Sequence, residues 1–123
     1  MIKAETRPKT PRLPKQVEAA VVAAEDKKAL DLIVLDLRKT GGFTDYFLIC
    51  SGGNARQLRA IADGVLEALA AQGVKPAHVE GYDRTDWILL DYFDFVVHVF
   101  AQESRMFYGL ERLWGNAERI ERG

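Results

Sequence analysis

Two carboxylates and one glycine-rich turn are the residues in this sequence whose types and spacing come nearest to a reaction centre. Asp91 and Asp94 stand close together at the end of an apolar run, and grouped carboxylates hold Mg²⁺ in phosphoryl-transfer sites. Ser51-Gly52-Gly53-Asn54 precedes a helical pattern, and a turn of that kind at a helix N-terminus can cradle phosphate. Together they faintly echo a nucleotidyltransferase site. Such a site needs a closely spaced carboxylate pair on one strand plus a third, whereas Asp91 and Asp94 flank a turn and need not converge. No Walker-type lysine follows the glycines, and Arg56 is the only nearby cation. His78 and His98 are the only histidines; they fall on different predicted strands, without a ligand-spaced partner. Cys50 is the single cysteine, mid-strand in an apolar run, where a buried thiol is inert. The expectation is a protein that is not an enzyme, with no catalytic residue, no cofactor and no metal.

Recognition is the chemistry that the Trp87–Phe100 region suits better. Alternation puts Trp87, Leu89 and Asp91 on one face of a predicted hairpin and Ile88, Leu90 and Tyr92 on the other. A tight turn sets Trp87 opposite Phe100, Leu89 opposite His98 and Asp91 opposite Val96. The face of Ile88, Leu90, Val97 and Val99 is aliphatic and is the natural seat for helices. The Trp87 face mixes aromatic rings with a carboxylate and an imidazole, as an interface does. Glu80, Asp86 and Asp91 are the acidic groups placed to meet a basic partner. The competing reading is that both faces are covered and Trp87 is plain core. Residue types alone leave the two readings even.

The elements that position these residues follow from periodicity. Val17, Ala20, Val21 and Ala24 recur at helical spacing after Lys15, and Asp26-Lys27-Lys28 closes that helix. Leu30–Leu37 and Tyr46–Cys50 are short apolar strands, the second a continuous run typical of a sheet covered on both sides. Asn54, with Gln57 three residues on, opens the most secure helix, whose stripe is Leu58, Ile61, Ala62, Val65, Leu66 and Leu69. Gly73 suits its left-handed C-terminal cap. Strands follow at about Ala77–Glu80, Trp87–Asp91 and Phe95–Phe100, then one last helix carrying Met106, Phe107, Leu110, Leu113 and Trp114. Tyr108 and Trp114 are expected to pack that helix onto the sheet, although Tyr108 also reaches toward a partner's edge. Glu103, Arg105 and Glu111 read as solvated helix charges, and Asp45 as an ion-pair partner of Arg56. The fold class is α/β: a mixed five-stranded sheet with helices packed against it.

The chain has 123 residues, which is one ordinary domain, with 17 basic and 18 acidic side chains and a net charge of -1. That balance argues against wrapping nucleic acid and against direct sequence-specific nucleic-acid binding. No apolar stretch is long enough to span a bilayer, and no apolar segment follows Met1-Ile2-Lys3-Ala4-Glu5, so no membrane is expected and the location reads as cytoplasmic. Residues 1–14, with Lys3, Arg7, Lys9 and Arg12, read as a mobile basic arm. Residues 15–117 read as the single domain, and 118–123 as a C-terminal tail.

Three blocks, in register from about Lys15 to Ala117, resemble the ribosomal silencing factors, the RsfS or Iojap-like family. The first is Phe43-Thr44-Asp45-Tyr46-Phe47-Leu48-Ile49-Cys50-Ser51-Gly52 with Arg56-Gln57. The second is Glu80-Gly81, Trp87 to Tyr92, Asp94 and Val96-Val97-His98-Val99-Phe100. The third is Glu103, Arg105, Tyr108, Leu110-Glu111 and Leu113-Trp114. The resemblance implies a nucleotidyltransferase-like fold without a catalytic site. It also implies binding to the large ribosomal subunit through its fourteenth protein, which hinders joining of the small subunit and represses translation. It tips the Trp87 face toward an interface made of Glu80, Tyr82, Asp86, Trp87, Leu89, Asp91, His98, Phe100 and Tyr108. A homodimer that hides the same face when the protein is free remains a further reading, and residual nucleotidyltransferase chemistry another. One position departs: the family usually has Gly where this chain has Phe93. A two-residue hairpin turn wants positive φ, which Phe resists, so either the loop is longer here or the turn is strained.

Overall fold

The computed structural model describes residues 13–121 apart from Thr85; the expected basic arm and the last two residues of the expected tail lie outside or almost outside that range. Helix α1 spans Lys15–Asp26, strand β1 Leu30–Asp36, strand β2 Tyr46–Gly52 and helix α2 Ala55–Ala70. Strands β3 (His78–Glu80), β4 (Trp87–Asp91) and β5 (Phe95–Ala101) follow. Helices α3 (Gln102–Tyr108) and α4 (Leu110–Leu113) and strand β6 (Glu118–Glu121) complete the order.

The sheet is mixed, as expected, but has six strands in the order β3-β4-β5-β2-β1-β6. The extra strand is the stretch expected to be a tail: Ile120 pairs with Val34 and is buried. Glu118, Arg119 and Glu121 face solvent, so a strand with one apolar side chain has no apolar alternation to display. The β2–β5 pair is parallel and every other pairing is antiparallel.

Helix α2 forms where its residues ask for it. The Asn54 side chain accepts the Gln57 N–H at 2.8 Å, and Gln57 Oε1 accepts the Gly53 N–H at 2.6 Å. Gln57 Nε2 also donates to the carbonyls of Lys27 and Lys28, tying the start of α2 to the end of α1. Gly73 takes φ +77°, and the Gly73 and Val74 N–H groups close back on Ala70 and Leu69. One face of the sheet buries Leu48, Cys50, Ile88, Leu90, Val97 and Val99 beneath α1 and α2. The other buries Ile33, Leu35, Phe47, Ile49, Val96 and Phe100, with Trp87, Leu110 and Trp114 packed on them. The single last helix expected from spacing is two pieces: Gly109 takes φ +60° and ends α3. A Cβ there would stand 2.6 Å from the Arg112 guanidinium. Apolar spacing runs unbroken across that glycine, which hides the break.

The β4–β5 turn is short and strained. Tyr92, Phe93 and Asp94 lie between the strands, and Phe93 takes φ +70°. The Asp94 N–H donates to the Tyr92 carbonyl at 2.8 Å, a γ-turn centred on Phe93. Three contacts hold it there: Asp91 Oδ1 accepts the Phe93 N–H at 2.9 Å, Thr44 Oγ1 donates to the Phe93 carbonyl at 2.6 Å, and Tyr92 N–H donates to the Phe95 carbonyl. The expected register survives, with Trp87 opposite Phe100, Leu89 opposite His98 and Asp91 opposite Val96.

Two outcomes follow. Phe93→Gly relieves a left-handed aromatic residue, so chemical denaturation should show a gain of about 1 kcal/mol. Gly81→Ala acts oppositely, because Gly81 has φ +75° and a Cβ would strike the Trp87 carbonyl oxygen. A loss of about 2–3 kcal/mol is expected by the same measurement.

Candidate functional site

Trp87 opens β4 at the margin of the second sheet face, where its indole is half-buried. Indole Nε1–H donates to His98 Nδ1 at 3.1 Å. The bond makes Nδ1 an acceptor, so the ring proton of a neutral His98 sits on Nε2, which is buried without a partner among the described residues. His98 is 3% exposed, and burial pushes its pKa down to about 3. A neutral imidazole is therefore the standing acceptor for the indole. The Phe47 ring meets His98 edge-on at 4.5 Å between centroids, and Phe100 packs against Trp87 at 4.9 Å. Tyr108 from α3 lies on the outer side of Trp87 at 4.7 Å and is itself 41% exposed.

These contacts sort the nine expected interface residues. Glu80, Trp87, Leu89 and Tyr108 line one shallow groove of about 240 Å³, together with Gly81 and Arg84. Asp86 stands beside it and pairs with Arg84 at 3.3 Å. His98 and Phe100 lie beneath the surface instead of on it, because β5 is flanked by β4 and β2 and roofed by α3. They support Trp87 from below. Tyr82 turns toward the other layer, where its hydroxyl donates to Asp63 Oδ1 of α2 at 2.8 Å. Asp91 is at the far end of β4 and spends one oxygen on the Phe93 N–H. Residue types missed Arg84, a lone cation in a loop. They also missed the exposed side chains Met106, Phe107 and Leu113, whose apolar spacing read as the buried stripe of one helix.

Of the features that suggested catalysis, the glycine-rich turn and Cys50 are engaged in the fold. At the α2 N-terminus the Gly53 and Gln57 N–H groups are held by side chains of the helix's own cap. Among the described residues no group of three His, Cys, Asp or Glu side chains could hold a metal ion. Cys50 is fully buried, and loss of hydration raises its thiol pKa to about 12. Asp45 does not pair with Arg56 among the described residues; its N–H donates to the Asp94 carbonyl at 3.0 Å. Arg105 and Glu111 are not free surface charges. Arg105 is 9% exposed, donates to Ser51 Oγ at 3.0 Å and grips both Glu111 oxygens at 3.0 and 3.2 Å. The Arg105 guanidinium holds the Glu111 carboxyl below its ordinary pKa. The larger cavity of about 910 Å³ at this end of the sheet is lined by Ser51, Gln102, Arg105, Glu111 and Arg119, so its innermost cation is already paired.

No helix among the described residues is long and apolar enough to cross a membrane. Residues 10–123 match the family model described as "Ribosomal silencing factor during starvation". A ribosomal silencing factor of Halalkalibacterium halodurans is 39% identical over 105 residues, covering 85% of this chain and 90% of that protein. A mouse protein named "Mitochondrial assembly of ribosomal large subunit protein 1" is 30% identical over 101 residues, covering 80% of this chain but 44% of its own length. A crystal structure of a Chromobacterium violaceum protein superposes with a TM-score of 0.81 at 33% identity, covering 85% of this chain and 88% of that one. With the family model spanning nearly its whole length, this chain belongs to the ribosomal silencing factor family.

Proposed function

We propose that this protein represses translation by binding the large ribosomal subunit through its fourteenth protein and so blocking the small subunit from joining. The observation that carries the reading is the Trp87 groove: a half-buried indole, oriented by a hydrogen bond from below and flanked by an exposed tyrosine. Half-buried aromatic anchors with a polar rim are what interface hot spots are made of. Glu80 and Asp86 supply carboxylates at that rim, suited to a basic ribosomal partner. Membership of the family supports the reading, as does the mouse relative, whose name refers to the large ribosomal subunit. The mechanism is occupancy of one surface at the expense of another, and it needs no cofactor. An interface of ordinary size, about 1,600 Å² in total, is sufficient for tight binding.

A homodimer is a second reading with its own observation. Met106, Phe107 and Leu113 are exposed beside Tyr108, and the Phe107 ring meets Tyr108 edge-on at 5.2 Å. A second copy seated there would cover the same aromatic edge while the protein is free.

Sedimentation through sucrose gradients with isolated large subunits tests the first reading. The protein should travel with the subunit, and Trp87→Ala should weaken that association at least tenfold while far-ultraviolet circular dichroism stays nearly unchanged. Equal loss of both signals would return Trp87 to the core. Protein found only at the top of the gradient, at low and moderate salt, would refute the proposal.

The support beneath Trp87 has a pH signature. Folded His98 stays neutral down to about pH 3, whereas an unfolded histidine takes up a proton near pH 6.5. Between those values the unfolded chain binds more protons, so stability falls as pH falls. The slope from this one group approaches about 1.4 kcal/mol per pH unit. Denaturation midpoints between pH 6.5 and 5 should show it, and His98→Gln should flatten it.

A further inference from the structure

We propose that the end of the sheet where the β4–β5 turn meets the β1–β2 loop is a separate docking surface for a protein segment bearing arginine or lysine. Phe43 and Phe93 are among the most exposed large apolar residues of the fold, at 77% and 73%. They are brought to one place by two bonds between their segments. Thr44 Oγ1 donates to the Phe93 carbonyl at 2.6 Å, and the Asp45 N–H donates to the Asp94 carbonyl at 3.0 Å. Phe93 combines a left-handed backbone with a ring in water, so neither its conformation nor its side chain gains anything from folding. A residue held in a strained state by its surroundings is a pointer to use.

The charges around the two rings define what fits. Asp45, Asp91 and Asp94 stand beside them in the two segments; among the described residues none is in salt-bridge contact with a cation, and Arg38 acts on Asp45 only at longer range. The nearest arginine is already spent. Arg38 pairs with Asp36 Oδ2 at 2.7 Å and lies over the Tyr46 ring at 5.3 Å, and the adjacent Lys39 is the remaining cation of the loop. That Arg38 contact is the proposed recognition in miniature, a guanidinium held between a ring face and a carboxylate. A cationic peptide segment would find the same pair of partners twice over at Phe43 and Phe93. Nucleic acid would meet Asp45, Asp91 and Asp94, which outnumber the nearby cations Arg38 and Lys39, the first already paired with Asp36. The surface lies about 13 Å along β4 from Trp87, so it is distinct from the groove and can be tested without the ribosome.

The test uses the full, ¹⁵N-labelled protein titrated with a nona-arginine peptide at moderate salt. Amide shifts should concentrate at residues 43–45 and 91–94. Phe93→Gly and Phe43→Ala should each weaken the peptide at least fivefold, while the thermal midpoint of Phe93→Gly rises, which separates lost contact from lost fold. Shifts centred on Glu80 and Asp86, or a Phe93→Gly protein that binds the peptide as the parent does, would overturn the proposal. Larger shifts of the same amides by a uridine hexanucleotide would overturn it too.

Discussion

Strand β2 is buried along its whole length on both faces, and that constraint organises the molecule. Its parallel pairing with β5 requires a crossover, which α2 supplies on one side. The opposite side must also be roofed, and among the described residues α3 and α4 do so, helices of seven and four residues. Two short helices cannot cover six strands. The roof extends over Phe47, His98 and Phe100 and stops at Trp87. The half-buried indole is thus the geometric edge of an incomplete layer, and its hydrogen bond to His98 fixes its position at that edge.

The same shortage explains the polar network at the other end of the roof. Arg105 enters the space between α3 and β2 because no apolar helix turn fills it, and its charge is offset by Glu111 and by Ser51 Oγ. Arg105 is buried, so loss of either acceptor would leave its charge poorly compensated, and these groups act as a set.

Local signals were legible wherever they were redundant. Helix α2 announced itself by its cap, its stripe and Gly73 at once, and the structure reproduces all three. The alternation of Trp87–Asp91 was equally plain, because a strand's two faces are written into neighbouring residues. Strand β6 was not, since an edge strand with Ile120 as its one buried residue looks like polar coil. The burial of Arg105 and the turn of Tyr82 toward Asp63 were also hidden. Both depend on partners far away in the chain, 54 and 19 residues off, and no local pattern encodes which layer such a side chain will join. At Phe93 the two alternatives were visible and the choice was not; Thr44, 49 residues away, makes the strained one tenable.

Glu111 has a consequence for how the molecule opens. One of its oxygens serves Arg105, and the other is shared between Arg105 and Arg119 of β6 at 3.5 Å. A four-residue edge strand standing alone would exchange its amide protons through frequent local fraying. Through Glu111, β6 is tied by a side-chain contact to a guanidinium that reaches Ser51, in addition to its ladder with β1. The edge strand is thereby held at Val34 and Leu35 by its ladder and at Arg119 by a charge from the opposite layer.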